Sequence, residues 1–143
     1  MEPLIIRVAT AADLDPLKAL ADRYKREVGF VRRGALLESI SRVHLLVALV
    51  GEDLVGFVQF HHRRDGQTTI HLIMVATAYR RQGVADVLLN QLRAICRELG
   101  QQRIGLKCPV ELSANDFYRQ AGFDLIAQEP GKLRPLNLWQ LLL

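Results

Sequence analysis

The sequence is poor in three features that would point to common functions. Only 6% of its residues are aromatic, and they do not alternate with basic clusters as nucleic-acid stacking platforms require. Its two cysteines, Cys96 and Cys108, lack metal-like or CxxC spacing and suit a reducing compartment better than a disulfide framework. No apolar run is long enough to cross a bilayer, and charged Glu2 and Arg7 flank only a short apolar stretch at the N-terminus. We therefore expect a cytoplasmic protein without a membrane partner.

Length and composition fit one globular domain. The chain has 143 residues, half of them hydrophobic, which is enough to bury a core. The formal net charge of +4 comes from 19 basic and 15 acidic residues that are scattered, so anionic partners are favoured only weakly. Repeats, low-complexity tracts and linkers are absent from the sequence. We expect a single domain over residues 1–143.

Hydrophobic residues recur at strand spacing in some segments and at helix spacing in others. Strands are predicted near residues 4–10, 45–50, 54–62, 69–76, 103–108, 123–128 and 136–142. Helices are predicted near residues 10–29, 35–42, 84–100 and 113–122. This order predicts an α+β fold, with a mixed, mostly antiparallel central sheet of about seven strands flanked by about four helices.

Capping signals support several of these helices. Thr10 with Asp13, and Ser113 with Asp116, have the spacing of a capping pair. Gly122 has the place of a glycine C-cap. The best-defined helix carries an apolar stripe formed by Val84, Val87, Leu88, Leu92, Ile95 and Leu99.

Residues 79–86 read YRRQGVAD and follow the apolar run IHLIMVA, where a strand would give way to a helix. The first amides of a helix lack intrahelical partners, and the helix dipole adds positive charge there, so such an end binds phosphate. Gly83 and small Ala85 let a ligand approach the backbone, and Arg80 and Arg81 add donors. On these residues alone, an ordinary turn with two solvated arginines is the simpler interpretation. GxxxxGK[ST] and GxGxxG are absent, which disfavours a nucleotide triphosphatase or a dinucleotide dehydrogenase.

A second motif changes the balance, because YRRQGVA and NDFYRQAGF occur in one chain in this order. The pairing resembles the GNAT superfamily of acyl-CoA-dependent N-acetyltransferases. Residues 80–85 match the family's [Q/R]xxGx[G/A] pyrophosphate loop, and Phe117-Tyr118 with Gly122-Phe123 match its later helix. The strand LIMVAT stands where the family shows an L.V.P pattern, with Thr77 in place of the proline. The element order also agrees, so the resemblance covers nearly the whole chain.

The resemblance implies a GNAT-like fold that binds acetyl-CoA as a co-substrate. In the family, the strand before the loop and the strand after the long helix splay apart, and the pantetheine arm lies in the opening. The main chain of Val75 and Thr77 is implied to bind that arm, and amides of residues 81–86 the pyrophosphate. Such fixed dipoles would also stabilise the oxyanion formed when an amine attacks the thioester. The implied cofactor-binding residues are Val75, Thr77, Arg80, Arg81, Gln82, Gly83, Val84, Ala85 and Asp86.

One position departs from the family pattern. Seven residues before the tyrosine, many relatives carry an asparagine near the cofactor, whereas this chain has Glu111. Asn115, in the following helix, is the candidate that would replace it as a cofactor contact.

Two residues are candidates for proton transfer. The resemblance implies that Tyr118 protonates the departing CoA sulfur, although a tyrosine on an amphipathic helix is otherwise a core residue. Where some relatives place a carboxylate base, this chain has Thr69, and His71 lies on the same strand face. A hydrogen-bonded sheet histidine and a water chain are the alternatives to a His71 base. His61 and His62 point to opposite faces of a strand, which argues against a shared metal site.

The acceptor is the part that the sequence leaves open. The resemblance places it between residues 26–39 and residues 129–137, and arginines in both segments hint at an acidic amine unless they are simply solvated. The leading function is acetyl transfer to a primary amine, of a small molecule or a protein, by direct attack within a ternary complex. A non-catalytic acyl-CoA-binding module is the alternative, and an arginine-rich nucleic-acid-binding domain a weaker one. The oligomeric state, a homodimer included, stays open.

Overall fold

The computed structural model describes residues 2–143, which contain seven strands and five α-helices. The strands are β1 (Leu4–Val8), β2 (Leu45–Val50), β3 (Asp53–His62), β4 (Gln67–Val75), β5 (Arg103–Pro109), β6 (Asp124–Glu129) and β7 (Leu136–Leu142). The α-helices are α1 (Leu14–Arg23), α2 (Lys25–Val28), α3 (Arg33–Ser41), α4 (Val84–Glu98) and α5 (Ala114–Gln120). Short 3-10 turns occupy Ala11–Asp13 and Thr77–Tyr79.

The strands form one mixed sheet in the order β1-β2-β3-β4-β5-β7-β6. The pairs β1–β2, β2–β3, β5–β7 and β6–β7 are antiparallel, and β4–β5 is parallel. The parallel pairing joins Gln67–Thr69 to Arg103–Gly105. The predicted α+β fold with a mostly antiparallel, seven-stranded sheet is confirmed, and the additional helix is the four-residue α2.

The chain divides into two compact units that share β4 and α4. Unit 1 holds the chain up to His61 together with Leu72–Leu92, and unit 2 holds His62–His71 and Arg93–Leu143. In unit 1 a hydrophobic core is formed by Ala9, Leu17, Leu20, Ala21, Leu36, Leu45, Val47, Phe57, Met74 and Ala76. The side chains of α1 and α3 thus pack with those of β2 and β3 and with the end of β4.

A charged network fixes the start of α1 in unit 1. The Asp13 carboxylate accepts hydrogen bonds from the Thr10 amide at 2.7 Å and from both terminal nitrogens of Arg7, at 2.7 and 2.9 Å. The predicted Thr10–Asp13 pairing is therefore present. Asp13 is 6% exposed, and the Arg7 hydrogen bonds hold the pKa of its carboxyl below the usual range.

We expect Asp13→Asn to lower the free energy of unfolding by about 2 kcal/mol at pH 7, since it removes charge-assisted bonds to Arg7. A carboxyl with a lowered folded-state pKa stabilises the fold above its unfolded-state pKa of about 3.9, and this stabilisation is lost as the pH falls through the folded-state pKa. Urea unfolding at pH 7 and pH 3 should therefore show the difference between the two proteins shrinking at the lower pH. Equal stabilities at pH 7 would contradict this account.

A buried hydroxyl holds the start of β4 in unit 2. Thr68 is fully buried, and its Oγ1 lies 2.7 Å from His62 Nδ1 and 3.2 Å from both Cys96 Sγ and Gln101 Nε2. Burial raises the pKa of the Cys96 thiol, so it stays protonated and can donate to the hydroxyl. The end of α4 is thereby tied to the strand positions that pair with β5.

Two details of the predicted helices are wrong. Val87 and Leu99 belong to the predicted apolar stripe, yet they are 42% and 60% exposed, because the buried face of α4 turns toward Leu89 and Cys96. The hydroxyl of Ser113 makes no capping bond, since its backbone is already helical (φ −64°, ψ −19°) rather than extended. None of the helices described here combines the length and apolarity needed to span a bilayer.

Candidate functional site

The loop between β4 and α4 has an unusual backbone in unit 1. Arg81 has φ +61° and Gly83 has φ +84°, both in the left-handed region. Glycine tolerates this conformation, but for arginine it costs about 1–2 kcal/mol, which the surrounding structure must offset. Strain of this kind concentrates at binding sites, where backbone groups must point toward a ligand. Residues with left-handed backbone conformation also turn successive amides toward one concavity that suits an anion.

The start of α4 supplies further donors beside this loop. The amide of Val87 donates to the Gly83 carbonyl at 3.0 Å, and this is the bond of the first helical turn. The amides of Val84, Ala85 and Asp86 precede it, so they lack intrahelical partners. The space in front of Gly83 is open, because a Cβ built there meets no atom within 4 Å. The arrangement can accept a phosphate at the end of the helix dipole.

The two arginines of the loop differ in how they are used. Arg80 donates from Nε to the Val75 carbonyl at 2.9 Å and from Nη2 to Glu27 at 3.1 Å. Its guanidinium also lies 5.0 Å from the centre of the Tyr24 ring. Arg80 thus anchors the loop to the α1–α2 segment, while the side chain of Arg81 is exposed. A phosphate contact by Arg80 stays a prediction and would have to compete with these bonds.

The main chain at the end of β4 is also partly engaged. Ala76 donates to the Val55 carbonyl of β3 at 2.8 Å, so the amide of the preceding Val75 points to the opposite edge of β4. Thr77 N–H donates to the Tyr24 hydroxyl at 2.7 Å. The cofactor contact of Val75 stays a prediction, and one by Thr77 would have to displace Tyr24.

Tyr24 and Glu27 were not among the predicted site residues. Tyr24 lies within the first predicted helix, and nothing nearby in the sequence signals a partner 53 residues away. Glu27 lies in a segment whose charges we expected to be solvated or to bind an acceptor. Only the folded chain shows both residues beside the loop.

Unit 1 has a pocket next to this loop, with a volume of about 480 Å³. Its wall comes from α1, the β2–β3 turn and the segment around Thr77. The pocket is lined by Pro16, Ala19, Arg23, Tyr24, Glu52, Asp53, Leu54, Val55, Ala76, Ala78 and Tyr79. Two carboxylates, one guanidinium and two phenol rings thus border a space large enough for a small amine.

Tyr118 lies in unit 2 and is 7% exposed. Its ring packs against Phe117, Phe123 and Trp139, with centroids 5.4, 5.7 and 6.5 Å away. Burial, and secondarily the neighbouring Cys108, raise the pKa of Tyr118. The phenol is therefore held in its neutral form, which can donate a hydrogen bond.

The side-chain amide of Asn115 is fully hydrogen-bonded, because both its nitrogen and its oxygen have partners within unit 2. Its Nδ2 donates to the carbonyls of Pro109 and Leu112, both at 2.8 Å. Its Oδ1 accepts from Trp139 Nε1 at 2.8 Å and from Asn137 Nδ2 at 3.0 Å. The cofactor contact predicted for Asn115 stays a prediction, and it would have to break bonds that hold α5 to β7 and to the end of β5.

We expect Asn115→Ala to lower the free energy of unfolding by about 3 kcal/mol, because it leaves buried donors of Trp139 and Asn137 without an acceptor. Gln120→Ala, on the exposed side of the same helix, should change the stability little. Thermal and urea unfolding of both variants check the difference. A fully stable Asn115→Ala protein would show that the network does not hold unit 2 together.

Three further residues from the sequence analysis are either exposed or paired with carboxylates. His71 is exposed on β4, in the part of that strand that belongs to unit 2. Two arginines from the proposed acceptor segments are paired with carboxylates, Arg33 with Asp15 and Arg134 with Glu111. An acidic acceptor would have to compete with these surface ion pairs for the two arginines, and it stays a prediction.

Solved structures share this fold over nearly their whole length. Ard1 from Thermoplasma volcanium has a TM-score of 0.88 at 20% identity, covering 98% of this chain and 97% of that one. The PaiA N-acetyltransferase from Thermoplasma acidophilum, in complex with coenzyme A, has a TM-score of 0.83 at 18% identity, covering 99% of each chain. Arabidopsis thaliana Naa50, in complex with the bisubstrate analogue CoA-Ac-MVNAL, has a TM-score of 0.81 at 17% identity, covering 96% of this chain and 97% of the other.

The sequence gives stronger evidence of family membership than the fold similarity does. A sequence profile of the acetyltransferase (GNAT) family matches residues 14–123, a range that contains both motifs and the whole strained loop. Together with the shared fold, this match shows that the chain belongs to the GNAT acetyltransferase family.

Proposed function

We propose that this chain transfers an acetyl group from acetyl-CoA to a primary amine, by direct attack within a ternary complex. The observation that carries the proposal is the loop of unit 1, where left-handed Arg81 and Gly83 precede the unpaired amides of α4. Two of the similar structures contain coenzyme A or a CoA conjugate, which supports the same class of ligand. We further propose that residues 1–143 act as one cytoplasmic N-acetyltransferase domain.

The loop and the end of β4 would hold the cofactor in this proposal. Amides of residues 81–86 bind the pyrophosphate, because the helix dipole and the open space at Gly83 favour an anion there. The Val75 amide, on the edge of β4 opposite β3, binds the pantetheine arm. The amine nitrogen forms a bond to the thioester carbon, the carbon–sulfur bond breaks, and main-chain donors stabilise the oxyanion in between.

Tyr118 is the proposed donor to the departing sulfur. A thiol has a pKa of about 8.5 and the raised pKa of Tyr118 lies well above that, so complete proton transfer to a thiolate is uphill. The neutral phenol can still donate a hydrogen bond as negative charge develops on sulfur, and this contact contributes to the rate where the charge is greatest.

The proton of the amine is proposed to leave through water, since β4 offers no carboxylate at Thr69 and His71 is exposed. A free alkylamine has a pKa of about 10, so the rate should rise with pH. We expect His71→Ala to keep the shape of the kcat/KM profile and to lose little rate. If His71 were the base, the profile would inflect between roughly pH 6 and 8, and a folded His71→Ala enzyme would be at least about a hundredfold slower.

An amine panel tests the proposal. Release of the CoA thiol is followed with diamines, amino acids, aminoglycosides and peptides with free N-termini, each with a no-amine control. We expect at least one class to accelerate release. Acetyl-CoA binding without acceleration by any amine would favour the non-catalytic acyl-CoA-binding module, and salt-dependent retention on DNA would favour nucleic-acid binding.

A further inference from the structure

Tyr24 lies at the break between α1 and α2. Its backbone (φ −115°, ψ 22°) leaves the helical region, and its carbonyl accepts from Glu27 N at 2.9 Å and from Val28 N at 3.1 Å. The short α2 therefore starts from Tyr24. Any contact that fixes the Tyr24 side chain also fixes the direction in which α2 leaves α1.

The Tyr24 hydroxyl makes such a contact with the end of β4. The amide of Thr77 donates to it at 2.7 Å, a short bond for an N–H donor. Thr77 stands where the family pattern has proline, and proline has no N–H to give. The bond therefore depends on the threonine that this chain has in place of the family's proline.

Arg80 and Glu27 strengthen the same connection. The Arg80 guanidinium lies over the Tyr24 ring, at 5.0 Å, and donates to Glu27 in the helix that starts from Tyr24. The three side chains connect the α1–α2 junction to both ends of the turn that carries Thr77. Tyr24 also lines the pocket of unit 1, so this connection sets the position of one pocket wall.

We propose that Tyr24 is a positioning residue for the acceptor amine, with its hydroxyl bond to the Thr77 amide fixing the pocket wall. The inference rests on the proposed function, because it assigns the pocket to the acceptor and not to acetyl-CoA. It also replaces the cofactor contact predicted for Thr77, since the amide of that residue already has a partner. Carboxylates at Glu52 and Asp53 beside two phenol rings suit an amine that arrives as an ammonium ion.

Two substitutions remove the hydrogen bond between Thr77 N–H and the Tyr24 hydroxyl, one at the acceptor and one at the donor. Tyr24→Phe removes the hydroxyl alone, and Thr77→Pro removes the N–H. Proline is compatible with the backbone, because Ala76 is extended (φ −57°, ψ 141°) and residue 77 begins a 3-10 turn. Thr77→Ala is the matched control, because it changes the side chain and keeps the N–H.

The test measures the amine KM, kcat and the acetyl-CoA dissociation constant of the full chain, using the best amine of the panel. We expect Tyr24→Phe and Thr77→Pro each to raise the amine KM about fivefold, the loss of one hydrogen bond, and the double variant to be no worse than Thr77→Pro. The kcat and the acetyl-CoA dissociation constant should stay within about twofold, and Thr77→Ala should match the wild type.

Two results would overturn the proposal. An unchanged amine KM in Tyr24→Phe would show that the bond does not position the acceptor. Weaker acetyl-CoA binding in Thr77→Pro, with normal binding in Tyr24→Phe, would assign the Thr77 amide to the cofactor. Failure of the proposed function is distinguishable, since the wild type would then fail to bind acetyl-CoA or to respond to any amine. In that case amide exchange at Thr77 still decides whether the bond exists, since Tyr24→Phe should accelerate it.

Discussion

Gly83→Val should weaken acetyl-CoA binding by about 100-fold, the equivalent of losing one or two charge-assisted hydrogen bonds to the pyrophosphate. The space in front of Gly83 is open, and it is the place that the proposal gives to the phosphate. A branched side chain there would exclude the anion and would also push φ away from +84°, turning the neighbouring amides. Isothermal calorimetry with acetyl-CoA measures the loss directly.

The control for this variant is Gly100→Val. Gly100 follows the other end of α4, has φ +77° and also has no atom within 4 Å of a built Cβ. Both valines therefore impose a similar backbone strain, about 1–2 kcal/mol, but only one stands at the proposed phosphate site. Equal acetyl-CoA affinity in two folded variants would refute the assignment of the loop.

Tyr118→Phe should lower kcat by about 100-fold, in the range usual for removal of a hydrogen-bond donor to charge that develops in the transition state, and should leave acetyl-CoA affinity unchanged. The substitution removes one oxygen and keeps the ring that packs against Phe117, Phe123 and Trp139. Steady-state kinetics with a saturating amine, together with calorimetry, separate the two effects. A kcat within about twofold of the wild type would mean that water or another donor serves the sulfur.

The elements that were predicted correctly are those with strong local signals. The long helix α4 is bounded by Gly83 and Gly100, and Gly122 (φ +97°) ends α5 as expected of a C-cap. The strands near residues 45–50 and 136–142 were placed at their observed positions because their apolar residues are continuous or alternating. The loop between β4 and α4 was singled out in the same way, from a motif that lies within one short stretch, and its cofactor contacts stay a prediction.

The features that were missed depend on residues far apart in the chain. Tyr24 is hydrogen-bonded to Thr77, and Glu27 to Arg80, each pair 53 positions apart in the sequence. No local sequence pattern could reveal these two contacts. Asn115 was a candidate cofactor contact, whereas its Oδ1 accepts from Asn137 and Trp139 of β7, which only the sheet brings near. Capping at Ser113 failed for a local reason, since the turn that precedes it already gives Ser113 a helical backbone.

The central claim is acetyl transfer to an amine, and mass spectrometry of the products tests it most directly. The purified chain is incubated with acetyl-CoA and the best amine of the panel, and acetylated amine and free CoA are both quantified. We expect one acetylamide to form for each CoA released, and both to be lost in parallel in Gly83→Val at subsaturating acetyl-CoA. CoA released without any acetylamide, or no amine-dependent product from a chain that binds acetyl-CoA, would contradict it.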